Sequence, residues 1–204
     1  MNRIAALDSG TQYHLISLHR APFKKYFHKI IYLPELQPDD LNDVDTVLVT
    51  CASPVGQILA HSGILLDFLA QHKTLVVTGR NGAELWLPGV ERVDLPFNFW
   101  WWLDKVHNSI DVQVSDSAHP LFQYITFEHM IWHYHDGYRL LPNGHSAVEH
   151  KTIRNAHIFQ TVDEYEGGRL VLTALDPFFH HGNFFMPNAS RFGNALLQFV
   201  SELG

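Results

Sequence analysis

A chain of 204 residues has the length of one domain, and 46% hydrophobic content is enough for a packed core and too much for disorder. A net charge of −7, from 14 Lys and Arg against 21 Asp and Glu, excludes the basic footprint of a nucleic-acid binder. One cysteine excludes a disulfide framework and a CxxC zinc site, while 15 histidines leave imidazole chemistry open.

The first residues are apolar for only four positions before Asp8, too short for a secretory signal, and no apolar window is long enough for a membrane span. The expectation is a cytoplasmic protein with no membrane partner and with Cys51 reduced. Residues 4–7 read as a strand ending in the turn cluster Asp8-Ser9-Gly10, and residues 12–20 as a short helix closed by Ala21-Pro22. A second strand is expected over 29–33 (KIIYL), stopped by Pro34. The third, 46–50 (TVLVT), is a continuous β-branched run of the kind buried on both faces of a parallel sheet.

Ser53 as N-cap and Pro54 at the first helical position then open a helix, with Ile58, Leu59, Leu65, Leu66 and Leu69 near one face and Gly63 as a weak point. A fourth strand, 74–78 (TLVVT), runs into Gly79-Arg80-Asn81-Gly82, which completes a βαβ unit with a right-handed crossover. The second half is less regular. Three consecutive tryptophans, Trp100, Trp101 and Trp102, fit no single face of a helix or strand. Strand material is expected over 109–114, 130–141 and 147–150, and a hairpin pairs 158–162 with 169–174 across Tyr165-Glu166-Gly167-Gly168. Residues 188–203 close the chain as an amphipathic helix. One α/β domain over 1–204 accounts for all of this, with a mostly parallel sheet and helices on both faces.

The order of these pieces resembles the class I glutamine amidotransferase-like superfamily. Three stretches carry the resemblance: residues 44–50 with the helix containing Gly63-Ile64-Leu65-Leu66-Asp67-Phe68-Leu69, residues 73–82, and residues 167–177 followed by His180-His181-Gly182 and the last helix. The ending is similar to the trehalose-utilisation (ThuA-like) branch. The resemblance implies a flavodoxin-like layered fold. It also exposes two departures. The family's Gly-x-Cys-x-Gly elbow presents a thiolate, and here Arg80 stands where that cysteine would be. His180-His181-Gly182 lacks the family's His-x-Glu. Glutamine hydrolysis by the standard route is therefore not expected.

Several candidate site residues follow. Cys51 directly follows the third strand, at the sheet's carboxyl edge; the readings are a thiolate activated by the next helix or an inert buried residue. His133 and His135 stand two apart, so on a strand both rings share a side. Together with His180 and Asp176 they could serve acid/base chemistry or hold a divalent metal; otherwise they are ordinary core or surface histidines, and no cofactor is required. Arg80 and Asn81 sit in a glycine-flanked loop that is either an anion cradle or a plain turn, with Glu84 nearby as a general-base candidate. Trp100, Trp101 and Trp102 form a ligand wall, an oligomer interface or a core plug. His181 joins the ligand-facing candidates.

Two functions are expected from different classes. One is a non-amidotransferase protein that binds a small polar ligand, carbohydrate among them, or serves as an accessory in an assembly. The other is an enzyme on a sugar or other small molecule using the His/Asp site. Self-association into a homo-oligomer is compatible with either.

Overall fold

The computed structural model describes residues 2–96, 110–132, 134–184 and 186–203. The first half alternates strand and helix: β1 (Ile4–Asp8), α1 (Gln12–His19), β2 (Phe27–Tyr32), β3 (Thr46–Val49), α2 (Val55–Leu69) and β4 (Thr74–Thr78). The β-branched runs at 46–50 and 74–78 do form strands, and every residue of β3 and β4 is buried. Both faces of such a strand are covered, which is why the sequence shows no alternation there.

The second half supplies β5 (Arg92–Asp94), β6 (Val112–Val114), β7 (Asp136–Tyr138), β8 (Gly144–His150), β9 (His157–Tyr165) and β10 (Gly168–Thr173), then α3 (Pro177–Gly182) and α4 (Pro187–Glu202). One sheet runs in the order β2-β1-β3-β4-β10-β9-β7-β5, with β8 on β9 and β6 on β8. The pairs β2-β1, β1-β3, β3-β4 and β4-β10 are parallel. This is the 2-1-3-4-5 order of a flavodoxin-like fold, with β10 in the fifth place. Beyond β10 the sheet continues antiparallel through the hairpin β9-β10, whose two-residue turn is Glu166-Gly167. Helices α1, α3 and α4 pack on one another as one layer, while α2 lies against β4 and the turn Leu33–Glu35.

Three expectations change. Helix α2 begins at Val55 with Pro54 in the capping place, and Ser53 instead sits 3.3 Å from Thr50 Oγ1. Of residues 130–141 only Asp136–Tyr138 is strand; Phe127–Met130 is a 3-10 turn, and the Trp132 indole is buried against Phe192. The apolar content of that stretch comes from a loop packed onto α4, not from pleating. The strand expected at 147–150 begins earlier, at Gly144, and β5 has no counterpart among the expected elements. Among the described residues no helix is long and apolar enough to cross a membrane.

Candidate functional site

In open α/β sheets ligands bind at the carboxyl ends of the strands, where the order reverses, here between β1 and β3. That position is filled by side chains. The Ser9 backbone N–H donates to His14 Nδ1 (3.1 Å), so the ring carries its proton on Nε2 and donates it to Cys51 O (3.0 Å). His14 is fully buried, and burial holds its pKa below the usual histidine value, so the ring is a neutral bolt between two strand ends. Asp8 is occupied at the surface of the same corner, accepting from Gly10 N (2.7 Å) and pairing with His19 Nε2 (2.8 Å).

Cys51 lies at the base of the same corner. Its backbone N–H donates to Thr78 Oγ1 (3.0 Å), and Phe179 N–H donates to its Sγ (3.3 Å). The thiol is fully buried, and burial together with the Asp176 charge pushes its pKa up to about 12. A thiol in that setting stays protonated and inert at neutral pH. Of the two readings of Cys51, the packed one describes its surroundings.

The polar groups converge one strand further along. After β4 the chain turns through Gly79 (φ +61°) and Gly82 (φ +69°) into the short 3-10 turn Ala83–Leu85. No long helix follows, so the strand-to-helix geometry of a nucleophile elbow is not built here. Gly79 is required twice over. Its φ is left-handed, and a Cβ on it would lie 2.5 Å from Cys51 Cβ and 2.7 Å from Asp176 Cβ. The absence of a side chain at 79 is what brings β3, β4 and the start of α3 together.

Asp176 occupies the capping place of α3, and His180 is four residues on, one helical turn away on the same face. Asp176 Oδ1 lies 3.0 Å from His180 Nε2, and both residues are buried. His135 joins them from the loop before β7. The charges of Asp176, Arg80 and His180 all act on His135, and burial, the largest influence, lowers its pKa. Three segments distant in sequence thus place Arg80, His135, Asp176 and His180 in one neighbourhood. Arg80 is exposed, Asn81 is buried, and Glu84 stands 3.6 Å from the Arg92 guanidinium.

Two residues of this neighbourhood escape the sequence reading. Asp136 is 2% exposed, and burial pushes its carboxyl up to about 6 against the pull of Arg92 and Arg80. Tyr138, two residues on and so on the same face of β7, donates its hydroxyl to Gly79 O (3.3 Å). Alternation within 136–138 was the available signal, but three residues are too few to display a period.

His181, adjacent to His180, turns elsewhere. Its Nδ1 is 2.8 Å from Ser190 Oγ of α4, and its ring lies 4.5 Å from the Phe23 ring at a tilt of 53°. Trp100, Trp101, Trp102 and His133 lie outside the described residues. Among the described residues no group of three or more His, Cys, Asp or Glu is placed to hold a metal ion. The described chemistry is therefore one exposed guanidinium, two imidazoles and two buried carboxyls in one neighbourhood. That set can hydrogen-bond a ligand and move a proton, and its only thiol is held in the neutral form.

No protein-family model matches the chain, and no curated protein matches it. Solved structures do. A protein of Thermoplasma acidophilum named for one of the subunits of GMP synthase superposes with a TM-score of 0.60 at 13% identity, covering 98% of this chain and 94% of that one. The chain shares that protein's flavodoxin-like α/β fold. A cytoplasmic protein of Salmonella typhimurium is similar at a TM-score of 0.56 and 12% identity over 98% of both chains. An exo-β-1,4-mannosidase from Opitutaceae bacterium strain TAV5 shares the fold at a TM-score of 0.53 and 10% identity, this chain matching 36% of its length.

Proposed function

We propose that this protein binds a small polar ligand at the carboxyl edge of its sheet, within Arg80, His135, Asp176 and His180, and does not hydrolyse glutamine. The observation that carries the reading is the convergence of those four side chains from three segments onto one place beside a buried carboxylate–imidazole contact of 3.0 Å. Ionisable side chains gathered at the ligand-binding edge of such a fold, with His135 held below its usual pKa by burial, are a physical reason to expect a site. Cys51 is buried and protonated, and Arg80 follows β4 in a turn without a helix, so neither supplies an amidotransferase nucleophile. Carbohydrates are the class to test first. The trehalose-utilisation branch is the arm of the fold we place nearest, and a mannosidase is among the fold's other users.

Titration calorimetry with trehalose, glucose, galactose and mannose tests it. Binding to the wild type is expected, with affinity reduced by about tenfold or more in His180→Ala and in Arg80→Ala, the size of one lost charge-assisted hydrogen bond. Binding that both variants leave unchanged would remove the site from this edge. The Asp176–His180 contact favours a second reading, an enzyme in which Asp176 orients His180 as acid or base. Release of nitrophenol from nitrophenyl glycosides, lost in His180→Gln, would establish it, whereas binding without turnover rejects it.

A further inference from the structure

We infer that Asp136 and Asn81 are the anchor of this site and that they select an uncharged, hydroxyl-bearing ligand over an anion. The inference rests on the ligand-site reading above and names what that site recognises.

Buried polar atoms in folded proteins are almost always hydrogen-bonded, and one that is not calls for a partner from outside the chain. Asp136 Oδ1 and Asn81 Oδ1 have no hydrogen-bond partner among the described residues, although the two residues are only 2% and 1% exposed. Asn81 is not misoriented: its Nδ2 donates to Thr78 O (3.2 Å), which leaves the carbonyl oxygen facing away from that bond. The two residues belong to one neighbourhood. Tyr138 ties β7 to Gly79 O, Asp136 shares the face of Tyr138, and the charge of Arg80, the residue before Asn81, acts on Asp136.

Both orphaned atoms are acceptors, so whatever completes them must donate. A phosphate or carboxylate would set its negative charge against the Asp136 carboxyl. In the glycine-flanked loop, Gly79 N–H is already donated to Thr173 O (2.8 Å) and is not offered to an anion. An ammonium group would donate, but the other charges acting on Asp136 are two guanidiniums, Arg80 and Arg92, balanced by Glu84 and Asp94. A neutral ligand with adjacent hydroxyls satisfies both acceptors and can accept in turn from Arg80.

The test compares trehalose, glucose and myo-inositol with inorganic phosphate and citrate on the full chain, by calorimetry and by melting temperature, for the wild type, Asp136→Asn and Asn81→Ala. The expected result is binding of at least one polyol, no binding of phosphate or citrate, and a loss of tenfold or more in affinity in both variants. The melting temperature of unliganded Asp136→Asn is expected to rise by a few degrees, because a carboxyl kept for a ligand costs the empty protein stability. That readout separates an anchor from a structural residue and holds even if Asn81→Ala, which also loses its Thr78 bond, folds poorly. Phosphate or citrate binding in place of polyols would overturn the inference and leave the ligand site standing. Polyol binding that Asp136→Asn does not weaken, or a melting temperature lowered by that variant, would overturn it as well. No response to any polyol, phosphate or citrate would overturn both.

Discussion

At the scale of single residues, Asp136 ties the site to stability. Its folded-state pKa is raised from the ordinary 3.8 to about 6, chiefly by burial. An acid whose pKa is raised on folding holds more protons in the native than in the unfolded chain between those two values. Stability therefore falls as pH rises through that window and is flat above it. A shift of this size corresponds to about 3 kcal/mol when the group is fully ionised. Asp136→Asn cannot ionise, so it should be more stable than the wild type by up to that amount at about pH 8, with the gain shrinking toward zero near pH 4. Urea denaturation of both proteins at about pH 4, 6 and 8 measures it. His14, whose pKa burial lowers, titrates alike in both proteins and cancels in the difference. A gain that does not depend on pH would mean that ionisation of Asp136 is not its source.

At the scale of elements, the junction of β3, β4 and α3 turns on Gly79. In Gly79→Ala the new Cβ would meet Cys51 Cβ and Asp176 Cβ, both on packed backbone that cannot give way cheaply. Gly89 has an equally left-handed φ, +71°, with nothing within 4 Å of a Cβ, so Gly89→Ala carries the backbone strain alone. Thermal melts of the pair should place Gly79→Ala below Gly89→Ala by on the order of 2 kcal/mol or more. Equal losses would show that the three elements are not in hard contact. The same elements divide what the sequence discloses from what it hides. Strands β1, β3 and β4 and helix α2 are legible, because burial on both faces writes continuous apolar runs and a helix writes a 3.6-residue stripe. Arg80, Asp176, His180 and His135 are legible as candidates because each follows or precedes a strand end. Strands β5, β6 and β7 are three residues each, too short for a period, and Trp132 and Tyr134 are buried in a loop that mimics strand composition. Asp136 was hidden for that reason: nothing local marks an acidic residue as buried. The parting of His180 from His181 was equally invisible, since it depends on α3 turning adjacent side chains by about 100°.

At the scale of the whole molecule, the sheet has a buried centre and exposed edges, and the site lies at the carboxyl end of the centre. Strands β3 and β4 are buried throughout and flanked on both sides, whereas edge strand β2 is largely half-exposed and β6 has one buried residue. Amides of β3 and β4 should exchange with solvent only through global unfolding, and those of β2 and β6 through local opening. A ligand that binds only the native state raises the global unfolding free energy by RT ln(1 + [L]/Kd). At a ligand concentration about ten times Kd, exchange in β3 and β4 should therefore slow about elevenfold. Exchange in β2 and β6 should not change, because their opening leaves Arg80, Asp136 and Asp176 in place. Hydrogen exchange followed by mass spectrometry, with and without the best polyol of the panel, reads both classes of amide in one experiment. Slowing confined to β2 or β6 would place the ligand on an edge of the sheet instead of at its carboxyl end. Uniform slowing across all strands would mean that the sheet opens as one unit and that its centre and edges are not separate in stability.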